Sequence, residues 1–383
     1  MEIPFHKPYT DAEDINGVVG AIRSGWLTMG PQTIEFEQRF RKSVGAAQAV
    51  AVNSCTAAMH LALKAFNLQP DDEVIIPAMT FTATGEVVRY FNAVPVIVDV
   101  DKETHNILPE EIEKHITPKT RAVIPVHFGG QPADMNEILK ITKKHHLKVL
   151  EDAAHCYPSF YQNKPIGCWG DITAFSFYAT KTIACGEGGM ATTENEQYAT
   201  DMRVQRLHGI SHDAWKRYSK EGSWYYEVID AGYKYNMTDI QAALGLSQLD
   251  KAEKMWQLRS GVAQRYHEAF SSSPLIRIPL IKPDRQTSWH LYVIKLEIEK
   301  LKIGRNEFID KLTQRNIKTS VHFIPLYRHP YYHKNFPVDW KKMKNSEWLY
   351  ERIISLPIYP GMSDPEITFV IENVLEIARN HAR

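Results

Sequence analysis

The stretch ITAFSFYATKTIACGEGGMATT, residues 172–193, decides the fold expected of this chain. A β-rich run ends near Phe177, a polar turn carrying Lys181 follows, and three glycines then let the backbone turn tightly before a second β-rich run. An isolated lysine is normally a solvated surface residue, because its ammonium resists burial. Apolar neighbours at a strand end lower the pKa of an amine and suit it to forming a Schiff base, so Lys181 is a candidate catalytic residue.

Short β-branched runs alternate with helical stretches from about residue 48 to residue 193. This alternation is typical of an α/β fold with a largely parallel sheet. Apolar residues at helical spacing between the runs predict helices that cover the sheet. We expect one wide sheet of seven strands: Ala49–Val52, Glu73–Ile76, Pro95–Val100, Ala122–His127, Lys148–Glu151, Ala174–Phe177 and Met190–Thr193.

The remainder of the chain predicts a second, smaller unit. Residues 237–270 indicate one long helix or two, with Thr238 and Gln241 placed to form a capping box. A composition shift follows at Pro274, Pro279 and Pro283. We therefore predict a large domain of residues 1–270 and a small C-terminal α+β domain of residues 271–383. Its expected elements are a strand in HLYVIKL, a helix over 303–312, a strand at Thr319–Phe323 and a helix after Pro365.

Charge and composition exclude several classes of protein. Lys+Arg and Asp+Glu are both 45, which gives a formal net charge of zero and argues against nucleic-acid and membrane partners. The first 17 residues mix acids and bases, and no apolar run reaches the length of a membrane span, so we expect a soluble, cytoplasmic protein. Four scattered cysteines without a CxxC pair predict neither a disulfide framework nor a metal site.

A second candidate element is EDAAH, residues 151–155. Asp152 stands at the carboxyl tip of an apolar strand, where open α/β sheets hold their ligands. An ionised carboxylate is costly there without a cation, and a protonated pyridine nitrogen would supply one. The residues leave open that Asp152 only caps a following helix. His155, three residues on, is a weaker candidate.

Two further elements follow earlier strands. Small and hydroxyl residues at 53–58, among them Cys55 and Thr56, begin a helix whose free N–H groups could bind a phosphate, and Ser176 could add a hydrogen bond. Phe81 could cover one face of a planar ring. Simple capping and core packing are the alternatives. Taken together, the four elements occur along the chain in the order expected of a pyridoxal-phosphate (PLP) enzyme. They are a helix start that binds phosphate, an aromatic residue that stacks on the ring, the strand-end Asp152 and the Schiff-base Lys181.

Longer motifs resemble a known family over residues 4–378, the DegT/StrS-type nucleotide-sugar aminotransferases. GYKYNMTDIQAAL and LHGISHDAW are most similar to the branch that makes UDP-4-amino-4-deoxy-L-arabinose. The motifs that carry the resemblance are SGWLTMGP, NSCTAAMHLAL, PVHFGGQPADM, EDAAH, FSFYATKTIACGEGGM, GYKYNMTDIQAALGLSQL, VHFIPLY and SLPIYPGM.

The resemblance implies a PLP-dependent, aspartate-aminotransferase (type I) fold and a homodimer with shared active sites. It makes Lys181 the Schiff-base lysine and Asp152 the partner of the pyridine nitrogen. The GYKYN segment of the other subunit would reach over the phosphate and place Lys234 and Asn236 there. Relatives often read Asn-Tyr-Arg at 234–236, so the resemblance leaves open which of the two contacts the phosphate. The remaining implied site residues are His155 at the cofactor's ring oxygen, Phe81 stacked on the ring, Cys55 (through its backbone), Thr56 and Ser176 at the phosphate, and His322 and Thr28 on the sugar side.

The implied reaction is a ping-pong transfer of the amino group of L-glutamate to a nucleotide-linked keto sugar, most simply a UDP-4-keto sugar. A dTDP-linked 3-keto or 4-keto sugar is the alternative acceptor. A PLP-dependent sugar dehydratase of this type carries His where this chain has Lys181. A catalytically inactive regulator on the same fold would not need Lys181, Asp152 and Ser176, so their presence argues against it. A nicotinamide-dependent oxidoreductase would need a GxGxxG motif after its first strand, and this sequence has none.

Overall fold

The computed structural model describes residues 1–210 and 225–383. Its strands, in chain order, are β1 Gln48–Val52, β2 Glu73–Pro77, β3 Val94–Val98, β4 Thr120–Val123, β5 Lys148–Asp152, β6 Phe160–Tyr161, β7 Lys164–Pro165, β8 Ile172–Ser176, β9 Gly189–Thr193, β10 Ile276–Arg277, β11 Arg285–Gln286, β12 Tyr292–Leu296 and β13 Ile353–Leu356.

The helices are distributed along the whole chain, and short 3-10 turns lie between some of them. In chain order they are α1 Ala12–Ser24, α2 Pro31–Ser43, α3 Cys55–Ala65, α4 Thr82–Arg89, α5 Pro109–Lys114, α6 Met135–Lys144, α7 Glu196–Gln205, α8 Asp239–Asp250, α9 Ala252–Phe270, α10 Arg305–Gln314, α11 Pro330–Asn335, α12 Lys344–Tyr350 and α13 Asp364–Asn380.

Seven strands form one wide sheet in the order β1-β9-β8-β5-β4-β2-β3. Strand β9 runs antiparallel to both of its neighbours, and the other four pairings are parallel. The predicted seven-stranded, mostly parallel sheet is therefore confirmed. Strand β4 ends earlier than predicted, because beyond Val123 the chain pairs again with β5 only at Val126, opposite Asp152.

Helices cover the sheet on both faces, as the alternation of side chains in β1 shows. Ala49 and Ala51 pack into a core with residues of α2, α6 and α8, whereas Val50 and Val52 pack into a second core with residues of α3, α4 and α7. Because the sheet is buried on both faces, its strands are almost continuously apolar. The sheet is the middle layer of three, and the carboxyl ends of its parallel strands remain free to carry polar residues.

A separate core lies in the C-terminal part of the chain. The antiparallel sheet β10-β12-β13 packs there with α10, α13 and the second half of α9. Ile3, near the start of the chain, also belongs to this core. The predicted strand at Thr319–Phe323 is wrong: Ser320 makes a single bridge to Ser355, and the chain then bends at His322 instead of continuing along β13. The domain division at residue 270 stays a prediction.

The region predicted as one long helix or two is two helices, α8 and α9. The capping box of Thr238 and Gln241 is present at the start of α8. Within residues 1–210 and 225–383, no helix has the length and apolar character of a membrane span. The same part of the chain holds no group of three or more His, Cys, Asp or Glu placed to bind a metal ion. The end of the motif LHGISHDAW, residues 211–215, lies outside the described residues.

Candidate active site

A cavity of about 540 Å³ opens where the carboxyl ends of β1, β2, β5 and β8 meet the C-terminal part of the chain. Most of the predicted site residues line it together. They are Cys55, Thr56, Phe81, Asp152, His155, Ser176, Lys181 and His322. Residues that are far apart in sequence meet here because parallel strands present their carboxyl ends at one edge of the sheet.

One end of the cavity is formed by the start of helix α3. Ser54 caps this helix by accepting a hydrogen bond from the Ala57 N–H at 3.1 Å. The N–H groups of the first turn have no acceptor within the helix, so those of Cys55 and Thr56 are available to an anion. A Cβ at Gly189 would lie 2.4 Å from the backbone of Ser54, which explains why the GEGG segment needs glycine where β9 passes the helix.

Cys55 lies in the cavity wall at this end. Burial raises the pKa of its thiol well above the ordinary value, and the nearby Asp152 raises it further. The thiol is therefore protonated at neutral pH. A neutral, buried thiol agrees with the expectation that this residue would serve a phosphate through its backbone only.

Asp152, the last residue of β5, is held in one orientation. One oxygen accepts the Ala154 N–H at 3.1 Å and the other accepts the Thr84 hydroxyl at 2.8 Å, while Thr80 lies 2.6 Å from Thr84. Burial raises the pKa of this carboxyl group. The alternative that Asp152 caps a helix is wrong, because a turn and not a helix follows it. A buried carboxylate facing a cavity favours a cationic ligand there.

The neighbouring Glu151 points away from the cavity, since successive side chains of a strand lie on opposite faces. It accepts hydrogen bonds from His127 at 2.9 Å, from the Thr173 hydroxyl at 2.7 Å and from the Gly170 N–H at 2.8 Å. Burial alone would raise the pKa of Glu151, but these bonds, led by His127, lower it overall. Glu151 is thus fully bonded within the fold, whereas Asp152 is available to a ligand.

Lys181 lies half-buried on the cavity wall, in the turn after β8. Burial lowers the pKa of its amine to about 8, although Cys55 and Asp152 partly oppose this effect. The side chain is accessible from the cavity but poorly hydrated, and both properties favour a nucleophilic amine. At neutral pH a larger fraction of this amine is unprotonated than in an ordinary surface lysine.

Aromatic rings and histidines form the opposite wall. Phe81 is 60% exposed, with its ring 6.2 Å from that of Phe323, so one face is available to stack on a planar ligand. His155 is buried, and burial lowers its pKa well below the ordinary value. The Nδ1 atom of His322 lies 2.8 Å from the Ser355 hydroxyl, and burial lowers the pKa of His322 to about 4.

Three predicted site residues lie outside the cavity of their own chain. Thr28 is exposed, and its carbonyl accepts the Asp239 N–H at 3.1 Å. Lys234 is exposed as well, and Asn236 is buried in a bridge opposite Val52, beside the end of β1. Their proposed contacts with sugar and phosphate stay predictions.

Other cavity residues were missed from the sequence. Thr80 lines the cavity two residues before α4, and its hydroxyl lies 2.6 Å from that of Thr84, which holds Asp152 from within the helix. His290 and Phe323 also line the cavity. Nothing in their local sequence signals it, because the tertiary fold alone brings them to the sheet edge.

The arrangement suits PLP, the cofactor that the sequence motifs imply. Helix α3 and Ser176 offer hydrogen bonds for a phosphate, Asp152 offers a negative charge for a pyridinium nitrogen, and Lys181 offers an amine for an aldehyde. Phe81 offers a ring face. All of these groups lie along one cavity.

Comparison with known proteins agrees with this geometry. A profile of the DegT/DnrJ/EryC1/StrS aminotransferase family matches residues 8–375. The spore coat polysaccharide biosynthesis protein SpsC of Bacillus subtilis is 48% identical over 378 residues, which cover 98% of this chain and 97% of SpsC.

Two solved structures are similar over nearly their whole length. Spr1654 of Streptococcus pneumoniae, assigned as a sugar aminotransferase, is 32% identical; its PMP form has a TM-score of 0.93 and its PLP form 0.92, each covering 99% of both chains. PseC of Helicobacter pylori, an aminotransferase involved in the biosynthesis of pseudoaminic acid, is 29% identical with a TM-score of 0.92, covering 99% of this chain and 100% of PseC.

Proposed function

Because the chain belongs to the DegT/DnrJ/EryC1/StrS aminotransferase family, whose sugar aminotransferases use PLP, we propose that it transfers the amino group of L-glutamate to a nucleotide-linked keto sugar. The proposed acceptor is a UDP-linked 4-keto sugar. The observation that carries the proposal is that Lys181 and Asp152 line one cavity beside the free N–H groups of helix α3.

Each residue has a defined task in this proposal. Bound PLP supplies an electrophilic aldehyde carbon and a ring that takes up an electron pair. Helix α3 and Ser176 bind the phosphate, and Phe81 keeps the ring plane fixed. Asp152 keeps the pyridine nitrogen protonated. Lys181 would hold the cofactor between turnovers, and its Nζ, when free, would remove the proton from the donor's Cα.

The acceptor is inferred from the relatives and from two motifs. SpsC is a polysaccharide biosynthesis protein, and PseC is an aminotransferase of pseudoaminic acid biosynthesis. GYKYNMTDIQAAL and LHGISHDAW resemble the branch that acts on UDP-4-keto sugars. These similarities support a role in the synthesis of a surface polysaccharide, lipid A or another glycan. A dTDP-linked 3-keto or 4-keto sugar is the alternative acceptor.

An assay over a panel of acceptors tests this choice. The PLP-loaded protein is incubated with L-glutamate and, separately, with UDP-4-keto, dTDP-4-keto and dTDP-3-keto sugars. We expect the amino sugar to form fastest from the UDP-4-keto sugar. Preferential amination of a dTDP-linked sugar would replace the proposed acceptor, and amination of none of them would contradict the proposal.

The charges in the cavity support a homodimer with shared sites. Among the described residues that line the cavity, Lys181 is the only lysine or arginine. A phosphate and a dicarboxylate donor bring several negative charges, so further cations are needed. The GYKYN segment lies next to the cavity, with the Tyr235 carbonyl accepting the Asn53 N–H at 2.7 Å. Exposed apolar residues near the N-terminus also suit a subunit contact: Ile15, Ile22, Trp26, Leu27 and Ile34.

Mixed dimers test the shared site. If Asn236 of one subunit serves the other, a Lys181→Ala chain paired with an Asn236→Ala chain is expected to regain activity, because one of its two sites then has both native residues. The ceiling is about half of the native activity per dimer. The rate of each purified homodimer and of the tagged heterodimer is measured. If the Asn236→Ala homodimer is fully active, Lys234→Ala takes its place in the mixed dimer. If both homodimers are impaired and the heterodimer of the two chains regains no activity, the site is not shared between subunits.

A further inference from the structure

A buried arginine behind the cavity has no anionic partner among the residues that the structure describes. Arg259, in helix α9, is 1% exposed. Its Nη1 donates to the Ile358 carbonyl at 2.9 Å and the Trp289 carbonyl at 3.3 Å, while Nε and Nη2 make no hydrogen bond in the described part of the chain. No carboxylate of residues 1–210 and 225–383 pairs with it, whereas the buried Arg206 pairs with Glu37. A buried, unpaired cation is costly and calls for an anion.

The position of this guanidinium relative to the cavity shows where such an anion could lie. Ile358 and His290 line the cavity, and Trp289 directly precedes His290. Burial lowers the pKa of His290 and His6, and the positive charges of both Arg259 and Lys181 lower it further. These two imidazoles therefore lie within reach of both cations. The guanidinium thus lies directly behind the cavity wall, bonded to the backbone at Trp289 and Ile358.

His290 is fixed in place with its ring nitrogens unused. Its ring lies 4.4 Å from that of His155, tilted by 38°. The Ser288 hydroxyl donates to the His155 carbonyl at 2.5 Å, and its oxygen accepts the His290 N–H at 3.3 Å. Trp289, which lies between Ser288 and His290 in the chain, has φ +52°, a left-handed conformation that is strained for a bulky residue. No described residue is hydrogen-bonded to a ring nitrogen of His290, and Nδ1 is buried.

We propose that His290, backed by the charge of Arg259, binds a carboxylate of the amino donor. The proposal rests on the proposed function, in which the donor is an amino acid whose amine comes to the position of the Lys181 Nζ. The α-carboxylate is attached to the same carbon as that amine, so it must lie close to Lys181. A ring N–H of His290 donates to it, and Arg259 supplies a positive charge in a poorly hydrated wall, where its effect is strong.

This assignment separates the two halves of the reaction. The donor brings a carboxylate to this wall, whereas the carbonyl carbon of a keto sugar carries none. His290 and Arg259 should therefore matter for the amino donor and much less for the sugar. A residue that only maintained the fold would affect both halves alike.

The test measures each half-reaction separately. His290→Phe keeps a ring against His155 but removes the N–H. We expect kcat/KM for L-glutamate, measured by single-turnover absorbance without any sugar, to fall about 10- to 100-fold. The rate at which the PMP-loaded variant aminates the sugar should stay near that of the unchanged protein. His267→Phe is the matched control: its ring packs against Trp289 outside the cavity, so both half-reactions should stay near those of the unchanged protein.

Binding of glutarate, a dicarboxylate without an amine, gives a readout independent of turnover. Calorimetry on the PLP-loaded protein should show weaker binding for His290→Phe and Arg259→Met, and unchanged binding for His267→Phe. If His290→Phe does not retain PLP, His290→Asn replaces it, with the same weakening expected from its shorter side chain. Equal losses in both half-reactions, or native affinity for glutarate, would overturn the proposal. The glutamate half-reaction and glutarate binding use no sugar, so a wrong acceptor would leave these two readouts unaffected.

Discussion

Lys181→Ala is expected to abolish transamination and covalent retention of PLP together. Lys181 is the cavity's only described lysine, and both the attachment of the cofactor and the proton transfer depend on it. Loss of a general acid–base group alone costs about 10²- to 10⁴-fold in rate, and losing the attachment adds to this. Borohydride reduction followed by mass spectrometry of the intact chain should find the cofactor on the native protein and none on the variant.

The pH dependence of cofactor capture gives a second check on the same lysine. The neutral amine is the nucleophile, and burial lowers the pKa of Lys181 to about 8. The rate at which the apo-protein captures PLP should therefore rise up to about pH 8 and level off above it. A surface lysine, with a pKa near 10.4, would show a rise continuing to about pH 10. Lys164→Ala, an exposed lysine outside the cavity, should behave as the native chain. Trapped cofactor on Lys181→Ala would refute the assignment.

Asp152→Asn is expected to keep PLP but lose at least about 100-fold in the rate of the glutamate half-reaction. The amide can still accept the hydrogen bond of Thr84 but cannot hold the proton on the pyridine nitrogen. Removing one partner of a buried charge pair costs about 3–5 kcal/mol, and each 1.36 kcal/mol is tenfold in rate. Single-turnover absorbance with L-glutamate measures the loss.

Glu151→Gln is the matched control for this prediction. Glu151 carries the same charge one residue away but is bonded to His127 and Thr173 on the other face of the sheet. We expect this variant to melt at a lower temperature while its bound cofactor keeps the native visible absorption. Half-reaction rates near native in Asp152→Asn would leave that carboxylate with a structural role only.

The sequence allowed most of the large sheet to be predicted, because the strands are buried on both faces and are nearly continuous apolar runs. The predicted strand at Thr319–Phe323 failed for a local reason. Its apolar and β-branched residues fit a strand, but the chain bends at His322, whose side chain reaches Ser355 and the cavity. Tertiary contacts at a ligand site overrode the local preference there.

Site residues could be predicted from the sequence only where they lie in short segments with a recognisable pattern. Asp152 could be predicted because it ends an apolar strand, and Lys181 because glycines follow its turn. His290 and Arg259 stand far from these segments in sequence, and an isolated histidine or a helical arginine has no local signal. The distance from His290 to His155, and the lack of an acidic partner for Arg259 within 1–210 and 225–383, are properties of the folded chain.

The most direct test of the account is to follow the nitrogen itself. The PLP-loaded protein is given L-glutamate labelled with ¹⁵N at its amino group together with a UDP-linked 4-keto sugar, and the sugar product is examined by mass spectrometry. We predict that the label appears in the sugar in proportion to the 2-oxoglutarate released, and that Lys181→Ala transfers none. A sugar that stays unlabelled while the native protein is fully loaded with PLP would contradict the central claim.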